Sequence, residues 1–186
     1  MRKWTELGFD GFRQEGFEPA QAVTTIDVAL DGRESAVRSH PTNLTGLITD
    51  AMRHEAGTEL SIFNSGSVRI DDVLPPGPVT QYDVIRVLPF GGTVVKATFT
   101  GALLAKVLQI GEQNQGTGGY LQAAGIPAAI DPAGRYTLAV SDFLLTGGEA
   151  NLGFLTRQNP EISGIADLRD IRMAVIDELK KRFAGR

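Results

Sequence analysis

Three groups of residues in this chain have the types and spacing to do chemistry on a bound ligand. The first is Arg38-Ser39-His40, just ahead of a segment opening at Thr42, together with Arg69 in the polar corner Asn64-Ser65-Gly66-Ser67-Val68-Arg69. Guanidinium forks match phosphate oxygens bidentately and stay charged at any working pH. Two of them near a helix N-terminus would make an anion seat; the competing reading is two solvated surface arginines. The second group is a pair of loop aromatics, Phe90 in Leu88-Pro89-Phe90-Gly91-Gly92 and Phe143 in the run Asp142 to Gly148. Glycines beside an aromatic give backbone clearance rather than packing, which suits a flat ligand stacked between two rings. The other reading, that both rings plug the ends of the core, carries equal weight on periodicity alone. The third group is the small polar set Asn64, Asp142, Glu149 and Asn151. An amide reads a base edge and a carboxylate accepts from ribose hydroxyls, although each residue singly also fits an Asx turn or a solvated loop.

Other chemistries are poorly provided for. Cysteine is absent, which removes thiol nucleophiles, thiolate metal ligands and disulfides together. His40 and His54 are the only imidazoles, too few for a multi-histidine metal centre. Ser65 and Ser67 flank a glycine, but not in the order of a nucleophile elbow, and no Gly-Gly loop carries a Gly-Lys-Ser/Thr tail. The 186 residues hold 18 Lys+Arg against 22 Asp+Glu, a net charge of −4. No dense basic surface is available for a nucleic-acid polymer or an anionic membrane. No stretch has the length of apolar residues needed for a transmembrane segment, and the polar start is not a signal peptide.

The elements that must position these groups are legible in part. Trp4, Leu7, Phe9 and Phe12 mark a loose amphipathic helix over Trp4–Glu15, followed by a β-branched run from Val23 to Leu30 that reads as one strand. Leu44, Leu47, Ile48, Ala51 and Met52 recur at helical spacing between a cap at Thr42 or Asn43 and Gly57. Leu60 to Phe63 is a short buried strand running into the Asn64 corner, and Pro75 to Pro78 reads as a rigid surface turn. Thr80 and Asp83 stand at capping-box spacing for a helix ended by Pro89. Val94–Thr100 alternates as a strand, and a helix runs from Gly101 to near Asn114. Three short strands are expected at Tyr120–Gln122, Ile126–Ile130 and Tyr136–Ser141, then a loop over Asp142–Asn151. The stripe Leu168, Ile171, Val175, Leu179, Phe183 predicts a terminal helix, with Asp167 and Asp170 at its start. Helices and strands without strict alternation give an α+β class.

In order along the chain stand Thr42-Asn43-Leu44 to Asp50-Ala51-Met52, the Asn64–Arg69 corner, and Tyr82-Asp83-Val84 through Gly91-Gly92. Gly118-Gly119-Tyr120-Leu121-Gln122 and Asp142-Phe143-Leu144 through Gly147-Gly148 complete the series. From about Val23 to Phe154 this closely resembles the C-terminal domain of the 5'-nucleotidase family, which includes UDP-sugar hydrolases and 2',3'-cyclic-nucleotide phosphodiesterases. The resemblance implies a layered α/β/β/α fold and a nucleotide or nucleoside ligand whose base is sandwiched by Phe90 and Phe143. It also implies ligand contacts from Asn64, Arg69 and Arg38, with Glu149 on the ribose where the family usually has Asp. His40 stands where an Arg is common.

The resemblance further implies a partner in the same polypeptide, an N-terminal metallophosphoesterase domain holding two divalent metal ions. Residues 1–18 would be the linker helix from that domain and residues 19–186 the substrate-binding domain, itself without metal, cofactor or catalytic residue. The metal-binding signatures of such a domain, Asp-x-His and Gly-Asn-His-Glu among them, do not occur in these residues. Localisation, again by resemblance, is periplasmic or extracellular. A second function class stays open: a structural or interaction module whose Phe-bearing loops bind another domain or a second copy.

Overall fold

The computed structural model describes residues 2–185, with side chains from residue 8 onward. The expected contributions of Trp4 and Leu7 to an apolar stripe therefore lie outside the described residues. The chain runs through α1 (Arg2–Gln14), β1 (Ala22–Ile26), β2 (Leu30–Asp31), a single turn α2 (Glu34–Val37), α3 (Asn43–Ala56) and β3 (Leu60–Asn64). It continues with β4 (Val73–Leu74), β5 (Gly77–Thr80), α4 (Gln81–Val87), β6 (Thr93–Thr100) and α5 (Gly101–Gln113). The last elements are β7 (Leu121–Ala124), β8 (Arg135–Ser141), β9 (Ile162–Asp170) and α6 (Ile171–Arg182).

Local chemistry explains the helix ends. Thr42 caps α3 in a reciprocal arrangement with Thr45, and Gly57 closes it in the left-handed region at φ 59°. Thr80 and Asp83 form the same reciprocal cap at the start of α4. Both termini were legible from residue spacing, as were β3, β6, α5 and β8.

A five-stranded mixed sheet in the order β7-β3-β8-β6-β9 forms the centre of the α+β fold. Only β3 and β8 are parallel; the other pairings are antiparallel. Successive residues along the strands feed opposite faces. Phe63, Val94 and Ala139 join one apolar cluster with α3, α4 and α6. Ile62, Val95, Leu138 and Val140 join another with α5 and the loop residues Leu144, Leu152 and Leu155. The remaining strands form two short antiparallel ladders, β1 with β5 and β2 with β4, whose Ile26, Leu30, Leu74 and Val79 belong to the first cluster.

Four expectations about elements are corrected. The run from Val23 to Leu30 is two strands, because the chain bends at Asp27–Val28 and Val28 is exposed. Gly77 and Pro78 lie in β5, with Pro78 opposite Thr25; a two-stranded ladder consists only of edges, where a missing N–H costs little. Ile126–Ile130 forms no strand: Gly125 turns the backbone at φ 73°, and Pro127 has no N–H to donate. Leu168 belongs to β9, and α6 begins at Ile171, where Asp170 Oδ1 accepts the Arg172 amide at 2.8 Å. β9 escaped the sequence reading because it is an irregular edge strand with shifted register and mostly exposed side chains.

A carboxylate network ties α3 to α6. Burial pushes the Asp50 carboxyl up, but hydrogen bonds from Arg53 and Arg182, the latter at 2.6 Å, outweigh it and leave its pKa lowered. A lowered folded pKa contributes stability above the unfolded value of about 4, and that stability is lost as pH falls through the folded value. Denaturation midpoints are therefore expected to drop between about pH 5 and pH 2. Asp50→Asn should flatten this part of the profile in urea titrations at fixed pH steps; an unchanged slope would remove Asp50 from the account.

Candidate functional site

Because β3 and β8 run parallel, their C-terminal ends emerge at the same end of the sheet. The Asn64 corner follows β3 and the Asp142–Phe143 turn follows β8. The antiparallel neighbours complete this end: β6 enters it at Thr93 from the Phe90 loop, and β7 enters at Leu121 from the glycine-rich connection. A cleft of about 770 Å³ opens there, lined among others by Asn64, Phe90, Thr93, Phe143 and Glu149. That volume lies in the range of small-molecule sites.

The corner after β3 is one tight turn over Ser65–Ser67. Ser65 N–H donates to Tyr120 O and Gly66 N–H to Gly118 O, both at 2.8 Å, while just beyond the turn Val68 N–H donates to Ser65 O and Arg69 N–H to Val87 O, both at 3.0 Å. A Cβ on Gly66 would lie 3.1 Å from the Gly118 backbone, so two backbones meet here and leave the wall flat. Asn64, 5% exposed, accepts from Ser67 Oγ at 2.8 Å through Oδ1. That contact occupies the acceptor oxygen and orients the amide, whose two donors are on Nδ2.

The two aromatics stand where a core residue would not. Phe90 is 74% exposed and Phe143 43% exposed, and both line the cleft. The reading in which the rings plug the core is thereby excluded. Gly91 and Gly92 follow Phe90 at φ 62° and 109°, conformations that a side chain would strain. Asp142 links the two loops. Its Oδ2 accepts the Thr93 amide at 2.9 Å, its Oδ1 accepts the Phe143 amide at 2.7 Å, and a Cβ on Gly92 would meet Oδ1 at 2.8 Å. Asp142 is thus committed to the backbone of both Phe-bearing segments.

Of the remaining expected residues, Glu149 lines the cleft and accepts the Ala150 amide through Oε1 at 2.8 Å. Arg69 places its guanidinium 5.7 Å from the centre of the Phe90 ring, within cation–π reach. Neither Arg69 nor Arg38 is among the cleft-lining residues; Arg38 caps α2 and pairs with Glu34 at 2.7 Å. Its carbonyl accepts the Gly116 amide, which holds it beside the glycine-rich connection. His40 contacts Pro41 O at 3.0 Å through Nδ1, and Asn151 donates to Asn114 Oδ1 at 2.9 Å.

Arg157 and Ser141 are among the cleft residues that carry no signal in the sequence. Arg157 lines the cleft and is held by Asp167 at 2.5 Å, a hydrogen bond that raises its pKa, with Asp142 adding a smaller push in the same direction. Ser141 Oγ is buried in the cleft wall without a hydrogen-bond partner. Neither carries a local signal, since Arg157 reaches the cleft only through its anchor on β9. Among the described residues no cluster of His, Asp or Glu is arranged to hold a metal ion.

Fold and cleft define an α+β domain with a ligand-sized site at one end of its sheet, built from loops and walled by two exposed aromatics. Residues 22–134 match the model of the family described as 5'-nucleotidase, C-terminal domain, and the chain belongs to that family. It is 30% identical over 178 residues to the trifunctional nucleotide phosphoesterase protein YfkN of Bacillus subtilis, a match covering 79% of this chain and 12% of that protein. Against protein UshA of Yersinia enterocolitica the identity is 30% over 155 residues, covering 74% of this chain and 28% of UshA. The chain thus spans less than a third of either relative. Among solved structures, the 5'-nucleotidase precursor of Thermus thermophilus superposes with a TM-score of 0.73 at 26% identity, over 88% of this chain and 37% of that one.

Proposed function

We propose that this chain is the substrate-recognition domain of a 5'-nucleotidase-type nucleotide phosphohydrolase, which stacks a nucleobase between Phe90 and Phe143 and does not hydrolyse alone. One observation carries the reading. Among the described residues the exposed large apolar side chains are Val28, Tyr82, Phe90 and Phe143, and the two phenylalanines line one cleft. Exposed apolar side chains gathered at one cleft mark a surface that binds a ligand or partner. Asn64 offers its amide donors to a base edge, Glu149 accepts from ribose hydroxyls, and Arg69 and Arg38 attract the anionic end.

Hydrolysis belongs, in this reading, to an N-terminal metallophosphoesterase domain of the same polypeptide with two divalent ions, joined through residues 1–18 to the binding domain at 19–186. The relatives named as nucleotide phosphoesterase and 5'-nucleotidase support the substrate class. A periplasmic or extracellular setting is part of the same proposal, supported by relatives named as snake venom 5'-nucleotidases. No helix among the described residues is long and apolar enough to cross a membrane.

Calorimetric titration of the chain with AMP, adenosine and UMP tests the reading. Weak saturable binding is expected, because one stacked base and a few polar contacts leave little surplus over the cost of association. No heat with any of the three at millimolar concentration would refute it. The same chain with added Mn²⁺ or Zn²⁺ is expected to release no phosphate from any nucleotide, and turnover in a pure preparation would overturn the division of labour. The exposure of Phe90 also favours a second reading, an interaction surface. Light scattering separates the two: a dimer indifferent to nucleotide supports association alone.

A further inference from the structure

Arg172 is 5% exposed, and a guanidinium taken out of water needs partners for its charge and its donors. It finds them in two places far apart in sequence. Nε and Nη2 donate to Asp170 at 3.0 and 2.7 Å, and Nη2 donates also to Glu15 Oε2 at 2.8 Å, just beyond the end of α1. The plane lies over the buried Phe17 ring at 4.4 Å. Burial pushes its pKa down, and the two carboxylates more than compensate, so the group stays charged.

The same guanidinium lies against the loop that carries Phe90. A Cβ on Gly91 would sit 2.7 Å from Nη2, and the neighbouring Ile171 amide donates to Gly92 O at 2.9 Å. The loop that carries Phe90 therefore rests in part on the first turn of α6, Gly91 against the Arg172 side chain and Gly92 on the Ile171 amide. Its position depends in turn on Glu15. Moving the end of α1 would leave a buried positive charge half-paired directly beneath Gly91.

We propose that Arg172 is a positioning residue for the nucleobase site, setting the place of Phe90 according to where Glu15 holds the end of the N-terminal helix. The proposal rests on reading Phe90 as one wall of a base clamp. Its elements are a buried fork, two carboxylates from distant segments and a close approach of Gly91 to the guanidinium. An apolar residue would fill the same volume, but it would not link the loop to residue 15.

The test uses Glu15→Gln, at a half-exposed position, and Arg172→Lys, which keeps the charge and loses the fork. Amide hydrogen exchange reads the loop without any ligand. Both variants are expected to speed exchange at Gly91 and Thr93 several-fold while the amides of α5 keep their rates. Unchanged exchange at both positions overturns the inference. Adenosine affinity is expected to fall about tenfold in Arg172→Lys, the scale of one lost charge-assisted hydrogen bond. In a Phe90→Ala background that further loss should vanish, because the effect passes through the ring. A loss that persists undiminished there would make Arg172 a general stabiliser and sink the proposal. If adenosine does not bind, or if Phe90→Ala leaves its affinity untouched, the clamp fails instead, and the exchange rates alone still decide whether Glu15 and Arg172 hold the loop.

Discussion

Phe143→Ala is expected to weaken nucleoside binding by about 5- to 150-fold, the equivalent of roughly 1–3 kcal/mol for one base–aromatic stacking contact. The ring is 43% exposed in the free chain, so its removal costs the fold little. Phe90→Ala should lose a similar amount of affinity with even less effect on stability, its ring being 74% exposed. It also takes from Arg69 the face over which that guanidinium lies. The measurement is a pair of calorimetric titrations with adenosine beside thermal melts of the same preparations. Affinity lost at constant melting temperature places the rings at the ligand; equal affinity in both variants removes the clamp. The double variant should fall short of additivity, because one ring left alone already stacks poorly.

Asp142→Ala should show the opposite balance, with losses in both stability and affinity. Its carboxylate accepts one amide on each Phe-bearing segment, Thr93 at 2.9 Å and Phe143 at 2.7 Å. Hydrogen bonds to a charged group contribute about 1.5–3 kcal/mol each when shielded, and the Phe143 bond is exposed, so a combined loss of roughly 2–3 kcal/mol is reasonable. Both rings would then be free to wander, and affinity should drop by more than about tenfold through lost preorganisation. Asp142→Asn keeps one acceptor oxygen and should recover part of each loss. Wild-type affinity in Asp142→Ala would mean that the cleft is held by other contacts, and the linking role of this carboxylate would be wrong.

These two variants also separate what local chemistry announces from what it hides. The aromatics were legible because Pro89 and Gly91-Gly92 are unusual company for a core residue, and they stand exposed in the cleft. Asn64 and Glu149 were legible from polarity after a strand and within a glycine-rich loop, and both line the cleft. The role of Asp142 was not: a carboxylate followed by Phe reads equally as a ligand contact or a turn, and its bond to Thr93 spans 49 residues. Nothing in the sequence singles out Arg172, since no residue near it along the chain points to Glu15. Arg157 was missed because its anchor, Asp167, stands on an edge strand whose mostly exposed side chains leave no clear two-residue period.

Residue order alone determined the start of α3 to within Thr42 or Asn43, the cap at Thr80, the central strands, the absence of thiol chemistry, and the family, because caps, periodicity and ordered motifs are properties of neighbours along the chain. Tertiary structure decided that the Asn64 corner, the Phe90 loop and the Phe143 turn share one cleft, and that Glu15 reaches it through Arg172. The reason is topological. Only the parallel pairing of β3 with β8 brings two strand ends to the same edge, and pairing direction is set by packing on both sheet faces, which no short window of sequence records.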